Sequence, residues 1–255
     1  MLVFTCSYSK LVFFAINNAE QMKGKVYLIP CLLGGEDASI LPEFNKKIVE
    51  EIDVFVVENL RSARRFLRAF GYTKNFDTEV QFFELDKHAA NLNYAQMLQP
   101  VLKGKNIGLI SEAGNPCIAD PGNELVAKAH QSGIEVMPLV GPSSILLTLI
   151  GSGFNGQQFA FNGYLPVDNA ERAKKLKQLE AEVLRSNTTQ LFMETPYRNQ
   201  KLLEEIIAQL SPETKLCIAC DLTLPEQFVK THPLSFWKQH LPELHKRYVM
   251  FALGK

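Results

Sequence analysis

Short apolar runs alternating with amphipathic helical segments constrain this chain more than any other feature. Val26-Tyr-Leu-Ile29, Asp53-Val-Phe-Val-Val57, Phe82-Phe-Glu-Leu85, Asn106-Ile-Gly-Leu-Ile-Ser111 and Ile134-Glu-Val-Met-Pro-Leu139 read as strands. Their apolar residues are largely continuous rather than alternating, the pattern of a strand covered on both faces. Helical patterns over 42–51, 61–70, 89–102 and 123–131 separate them. Buried strands joined through helices predict an α/β domain around a mainly parallel sheet.

Past residue 140 the texture changes. Val140-Gly-Pro-Ser-Ser144 opens an apolar helix that runs to Ile150, and Gly151-Ser-Gly153 stops it. Strand patterns follow over 159–165, 189–193, 216–220 and 248–253, with helices over 171–184 and 199–209 and one bearing Trp237. The expected organisation is a 1–21 extension, an N-terminal α/β domain over 22–141 and a C-terminal α/β domain over 142–255, hinged near 139–155. The first strand pattern begins directly after Met22-Lys-Gly-Lys25, so Met22 is the expected native start.

Charge and composition narrow the partners. The 255 residues carry 27 Lys+Arg against 27 Asp+Glu, so no global field draws the chain to nucleic acid, an anionic membrane or an acidic substrate. Any polyanion must be met by a local patch. Seventeen Phe and seven Tyr supply enough apolar area to exclude a disordered chain. No apolar run reaches the roughly 18 residues of a membrane-spanning helix, and the six-residue run Leu11-Val-Phe-Phe-Ala-Ile16 is short for a signal sequence. Five scattered cysteines, at 6, 31, 117, 217 and 220, favour a reducing compartment, and a cytoplasmic location is expected. Cys217 and Cys220 lie three apart on a strand and point to opposite faces, so they are expected to be buried thiols rather than metal ligands. No metal site and no membrane contact are expected.

In open parallel sheets ligands bind beyond the carboxyl ends of the strands, so the chemistry should reside in the loops there. The loop from Pro30 to Asp37 has adjacent Gly34 and Gly35 but matches neither a dinucleotide fingerprint nor a P-loop. The loop Ser111-Glu-Ala-Gly-Asn-Pro-Cys-Ile-Ala-Asp-Pro-Gly122 is rich in small residues that let backbone groups approach a ligand. Asp120 reads also as a helix cap. Ser143 and Ser144 stand at a helix N-terminus, where they can cap the helix or bind a ligand.

Taken in order, Pro30, Ser111-Glu-Ala-Gly-Asn-Pro116, Ile118-Ala-Asp-Pro-Gly122, Gly141-Pro-Ser-Ser144 and Phe192-Met-Glu-Thr-Pro-Tyr-Arg198 resemble the motif set of the tetrapyrrole methylase superfamily. Within it they are most similar to the branch that methylates a ribose 2′-hydroxyl of 16S ribosomal RNA in the small subunit. The resemblance implies a two-domain α/β S-adenosylmethionine (SAM) methyltransferase, a homodimer, with SAM in a cleft between the domains. It implies that Pro30 borders that cleft, that Ala113, Gly114, Asn115 and Ile118 contact the amino-acid and ribose parts of SAM, and that Ser143 and Ser144 meet its polar end. Phe192, Met193 and Leu222 would close over the adenine, or else belong to an apolar core.

The chain departs from that branch on the substrate side. Glu58-Asn-Leu-Arg61 replaces an acidic pair followed by Thr and Arg, Cys220-Asp-Leu-Thr-Leu-Pro225 replaces Arg-Glu-Leu-Thr-Lys, and the loop with Asp86-Lys-His88 lacks a fuller polar cluster. His88 reads as a surface histidine. Transfer of a methyl group to a hydroxyl needs alignment and removal of one proton. Glu58 and Glu112 are the candidate bases, though either can be a solvated strand-end carboxylate. Arg61 and Arg198 are candidates for acceptor phosphates, and Arg64, Arg65 and Arg68 share a helix with Arg61, which makes this either an RNA patch or a solvated face. Alternatives are methylation of a tetrapyrrole or other small molecule, suggested by Leu222-Thr-Leu-Pro-Glu-Gln227, and a non-catalytic SAM-binding paralogue.

Overall fold

A computed structural model describes residues 23–85 and 92–255. The expectations for 1–21, for Met22 and for Asp86–His88 fall outside the described residues. The chain forms two compact units, one containing Leu41–Val140 with the chain through Cys31, the other Leu32–Ile40 together with Gly141–Lys255. The segment 32–40, which the sequence pattern places with the first domain, thus packs with the second.

In the first unit β1 (Lys25–Ile29), β2 (Val54–Val57), β3 (Gln81–Glu84), β4 (Ile107–Ile110) and β5 (Glu135–Pro138) form one sheet in the order β3-β2-β4-β1-β5. Each pairing is parallel, as the continuous apolar runs predict. Helices α1 (Glu43–Glu51), α2 (Leu60–Ala69), α3 (Tyr94–Leu102) and α4 (Gly122–Gln131) connect the strands. On one face Val54, Val56, Ile107 and Leu109 pack against Met97, Val101, Leu125 and Ala129 of α3 and α4. On the other, Ile29 and Phe55 close over Gly108, where a β-carbon would come within 2.5 Å of Ile29 and 2.8 Å of Phe55. Any larger residue there would force Ile29 and Phe55 to shift. The helix expected over 89–102 is described from Tyr94, with Asn93 accepting the Gln96 amide as its cap.

In the second unit α5 (Ser144–Ser152), β6 (Phe159–Tyr164), α6 (Asn169–Ser186), β7 (Thr189–Met193), α7 (Asn199–Gln209), β8 (Lys215–Cys220), β9 (Phe228–Pro233), α8 (Leu234–Gln239) and β10 (Val249–Gly254) follow. The sheet order is β6-β7-β10-β8-β9. Only β6 and β7 run parallel, and the other pairs are antiparallel. α5 covers one face over Leu191, Cys217, Ala219 and Ala252. On the opposite face α6, α7 and α8 pack over Phe192, Ile218, Cys220 and Phe251. Cys217 and Cys220 therefore do face opposite ways, and burial pushes their thiols up to about 11 and about 12. The edge strand β9 is absent from the sequence pattern, because Lys230, His232 and Pro233 interrupt its apolar residues.

Candidate active site

In the first sheet β2 leads on toward the β3 edge and β4 toward the β5 edge, so the chain leaves these two neighbours in opposite directions. A crevice opens at such a switch point, beyond the carboxyl ends of the strands. Val57 and Ile110 are register partners, and Ile29 pairs with Ile110 on the other side. Glu58, Ser111-Glu112 and Pro30-Cys31 are thereby brought to one edge of the sheet. Burial raises the Cys31 thiol, and the charges of Glu112 and Glu58 raise it further, which places both carboxylates around this point.

Two hydrogen bonds tie the loops together. The Cys31 amide donates to the Gly114 carbonyl at 2.8 Å. The Ser62 hydroxyl donates to Glu112 Oε1 at 2.6 Å. Asn59 caps α2 through the amides of Arg61 and Ser62, so Ser62 is presented from a fixed first turn. The 111–122 loop is held in costly backbone: Gly114 has φ +66°, and the non-glycine residues Cys117 and Ala119 have φ +70° and +61°. Each such non-glycine residue costs about 1–3 kcal/mol and is usual where a loop is shaped for a ligand. Asp120 accepts the Gly122 amide through Oδ1 at 2.8 Å, while its Oδ2 is buried without a partner among the described residues. Pro30 and Gly114 are buried, Asn115 half-buried, Ala113 and Ile118 exposed.

The arginines of α2 separate into two groups. Arg64 pairs with Asp77 at 3.0 Å and lies 5.5 and 5.4 Å from the rings of Phe76 and Phe82. Arg68 donates to the carbonyls of Tyr72 and Lys74 and stacks 3.8 Å from Phe76. Both are engaged by the 72–82 segment that folds back on the helix, whereas Arg61 and Arg65 have no such contact with that segment. Arg61 borders an open cavity of about 440 Å³ with Asn59 and Glu84. Glu84 already accepts the Leu60 amide there at 3.0 Å, occupying the helix N-terminus with a carboxylate.

In the second unit Ser143 caps α5 by accepting the Leu146 amide at 3.4 Å, and Ser144 is that helix's first residue. Phe192 is fully buried, its ring stacked on Phe251 at 5.8 Å on the α6 and α7 face. Met193, next along the strand, faces the α5 side with Leu222, itself 8% exposed. The Phe192 side chain is therefore core and cannot cover an adenine together with Met193. Arg198 is half-exposed, and its Nη2 donates to Glu194 Oε1 at 2.6 Å, a carboxylate that is 2% exposed.

Sequence reasoning missed Ser62 and the shape of the loop after β8. There Asp221 and Thr223 have φ +48° and +72°, and the second is β-branched, the least tolerant side-chain type in this region. The loop is braced by Arg247 on Asp221 at 2.6 Å and by Gln227 Oε1, which accepts the Thr223 amide at 2.8 Å. Thr223 Oγ1 is buried and unpartnered among the described residues.

Comparison with known proteins gives a consistent answer. The sequence model of the Tetrapyrrole (Corrin/Porphyrin) Methylases matches residues 34–235. "Ribosomal RNA small subunit methyltransferase I" of Escherichia coli O157:H7 is 29% identical over 206 residues, covering 81% of this chain and 68% of that protein. The protein of the same name from a Synechocystis species is 30% identical over 209 residues, covering 80% and 70%. The crystal structure of the methyltransferase CobJ superposes with a TM-score of 0.60 at 17% identity, over 91% of this chain and 94% of the other. Uroporphyrin-III-C-methyltransferase from Thermus thermophilus gives 0.55 at 18%, over 92% and 93%. At these identities the two structures establish the shared fold. Among the described residues no helix is long and apolar enough to cross a membrane.

Proposed function

Because the chain belongs to the tetrapyrrole (corrin/porphyrin) methylase family and is a SAM-dependent methyltransferase, we propose that its acceptor is a ribose 2′-hydroxyl of small-subunit ribosomal RNA. The names of its relatives support the RNA. The ribose hydroxyl rests on the motif resemblance. The observation that carries the proposal is the strained 111–122 loop at the switch point, whose Glu112 accepts a hydrogen bond from Ser62.

The residues fit the cofactor. Gly114, at positive φ, lets backbone approach a ligand, and the orphaned Asp120 Oδ2 is an acceptor awaiting a donor. Met193 and Leu222 supply apolar surface on a single face of the second sheet, and Ser144 opens α5. SAM supplies an electrophilic methyl group on a sulfonium whose leaving group departs neutral. Alignment is the larger share of the task, and loops braced from several strands provide it. The remaining step is removal of the 2′-hydroxyl proton, which we assign to Glu112 with Glu58 as its neighbour. Arg61, exposed in the first turn of α2, is the proposed phosphate contact. The enzyme is proposed to act in the cytoplasm as a homodimer, following the family resemblance.

Mapping 2′-O-methyl positions in small-subunit ribosomal RNA tests this directly. A strain lacking the gene is expected to lose one such methyl group and regain it on complementation. An unchanged map would remove the RNA assignment.

A further inference from the structure

Ser62 links α2 to the 111–122 loop, 50 residues away in sequence. It stands in the first turn of the helix, where Asn59 Oδ1 accepts its amide and that of Arg61 and so sets the backbone from which the hydroxyl projects. Three acceptors lie within reach of the single hydroxyl proton: Glu112 Oε1 at 2.6 Å, the Asn59 carbonyl at 3.1 Å and Asn59 Oδ1 at 3.4 Å. The first is the nearest and the only one on a carboxylate, so the proton goes there. Glu112 Oε2 has no hydrogen bond among the described residues. Ser62 is half-buried and Glu112 exposed, so their bond adds little to the stability of the fold. What it does instead is orient a carboxylate at the switch point.

We infer that Ser62 is a positioning residue of the methyl transfer. By engaging Oε1 it sets the rotation of the Glu112 carboxylate and leaves Oε2 as the atom that takes the proton. The acceptor oxygen forms the new C–O bond, its proton passes to Oε2, and the electron pair of the broken C–S bond leaves with sulfur. Once the carboxyl is neutral, the Asn59 carbonyl offers the serine proton a second acceptor, so the hydroxyl is satisfied before and after the transfer. The inference rests on the reading of Glu112 as the base, and adds which of its oxygens acts and what aims it.

Ser62→Ala is expected to slow single-turnover methyl transfer to small ribosomal subunits, taken from a strain lacking the gene, by roughly tenfold or more. The subunit concentration at half-maximal rate and the SAM affinity measured by calorimetry should stay within about twofold of native. Tm should hold within about 2 °C, because the position is near the surface. Ser62→Thr keeps the hydroxyl and should recover the native rate to within about threefold. A double variant separates positioning from structure: in the Glu112→Gln background Ser62→Ala should cause no further loss, since it acts only through that carboxylate. A full rate in Ser62→Ala beside a slow Glu112→Gln overturns the inference and leaves the base in place. Losses that multiply in the double variant, or a loss that Ser62→Thr does not recover, overturn it by giving Ser62 a structural role. Full activity in Glu112→Gln removes the base itself, and the inference falls with it.

Discussion

Glu112→Gln is expected to slow methyl transfer by about 10²–10⁴-fold while leaving SAM affinity within a few-fold of the native value. Gln is isosteric with Glu and its amide oxygen still accepts the 2.6 Å hydrogen bond from Ser62. The loop therefore keeps its geometry and only the proton acceptor is lost. Single-turnover transfer of labelled methyl to small ribosomal subunits from a strain lacking the gene supplies the rate, and calorimetry supplies the affinity. Glu58→Gln, measured in parallel, tests the other carboxylate at the same strand ends. Full activity in Glu112→Gln with loss in Glu58→Gln would move the base to Glu58. Full activity in both would remove a carboxylate base altogether.

Phe192→Ala is expected to lower stability by about 3–5 kcal/mol, among the largest costs of any single substitution. The ring is fully buried, stacks on Phe251 and stands on the sheet face covered by α6 and α7. Its removal leaves a cavity that two long helices and a central strand cannot collapse into. Denaturant unfolding followed by circular dichroism measures the loss. In the folded fraction SAM affinity should hold, because the side chain has no surface from which to touch a ligand. A variant of native stability with weakened SAM binding would return Phe192 to the site and displace it from the core.

Much of the first unit can be read from its sequence because a parallel sheet covered on both faces demands continuous apolar strands, and Val54–Val57 and Ile107–Ile110 are such runs. Helix starts are harder. The helix expected from 171 begins at Asn169, because Asp168 caps it by accepting the Glu171 amide. β9 escapes notice because an edge strand needs only one partner and tolerates polar residues and proline. In the site, the small-residue loop over 111–122 is legible from composition. Ser62 is not, since its bond to Glu112 spans 50 residues and no local pattern records it. The arginines of α2 mislead because helical spacing predicts a basic face, while the segment after the helix folds back so that Phe76 lies against Arg64 and Arg68. Phe192 and Met193 are neighbours in the motif and opposites in the sheet, because a strand alternates its side chains between faces.

Calorimetric titration of the purified chain with SAM tests the central claim, that this is a SAM-dependent methyltransferase whose 111–122 loop receives the cofactor. The native protein should bind SAM saturably and gain thermal stability with it. Gly114→Val places a β-branched residue at a buried position with φ +66°, and it should weaken that binding by at least about tenfold. No heat and no thermal shift at millimolar SAM for the native chain would contradict the claim.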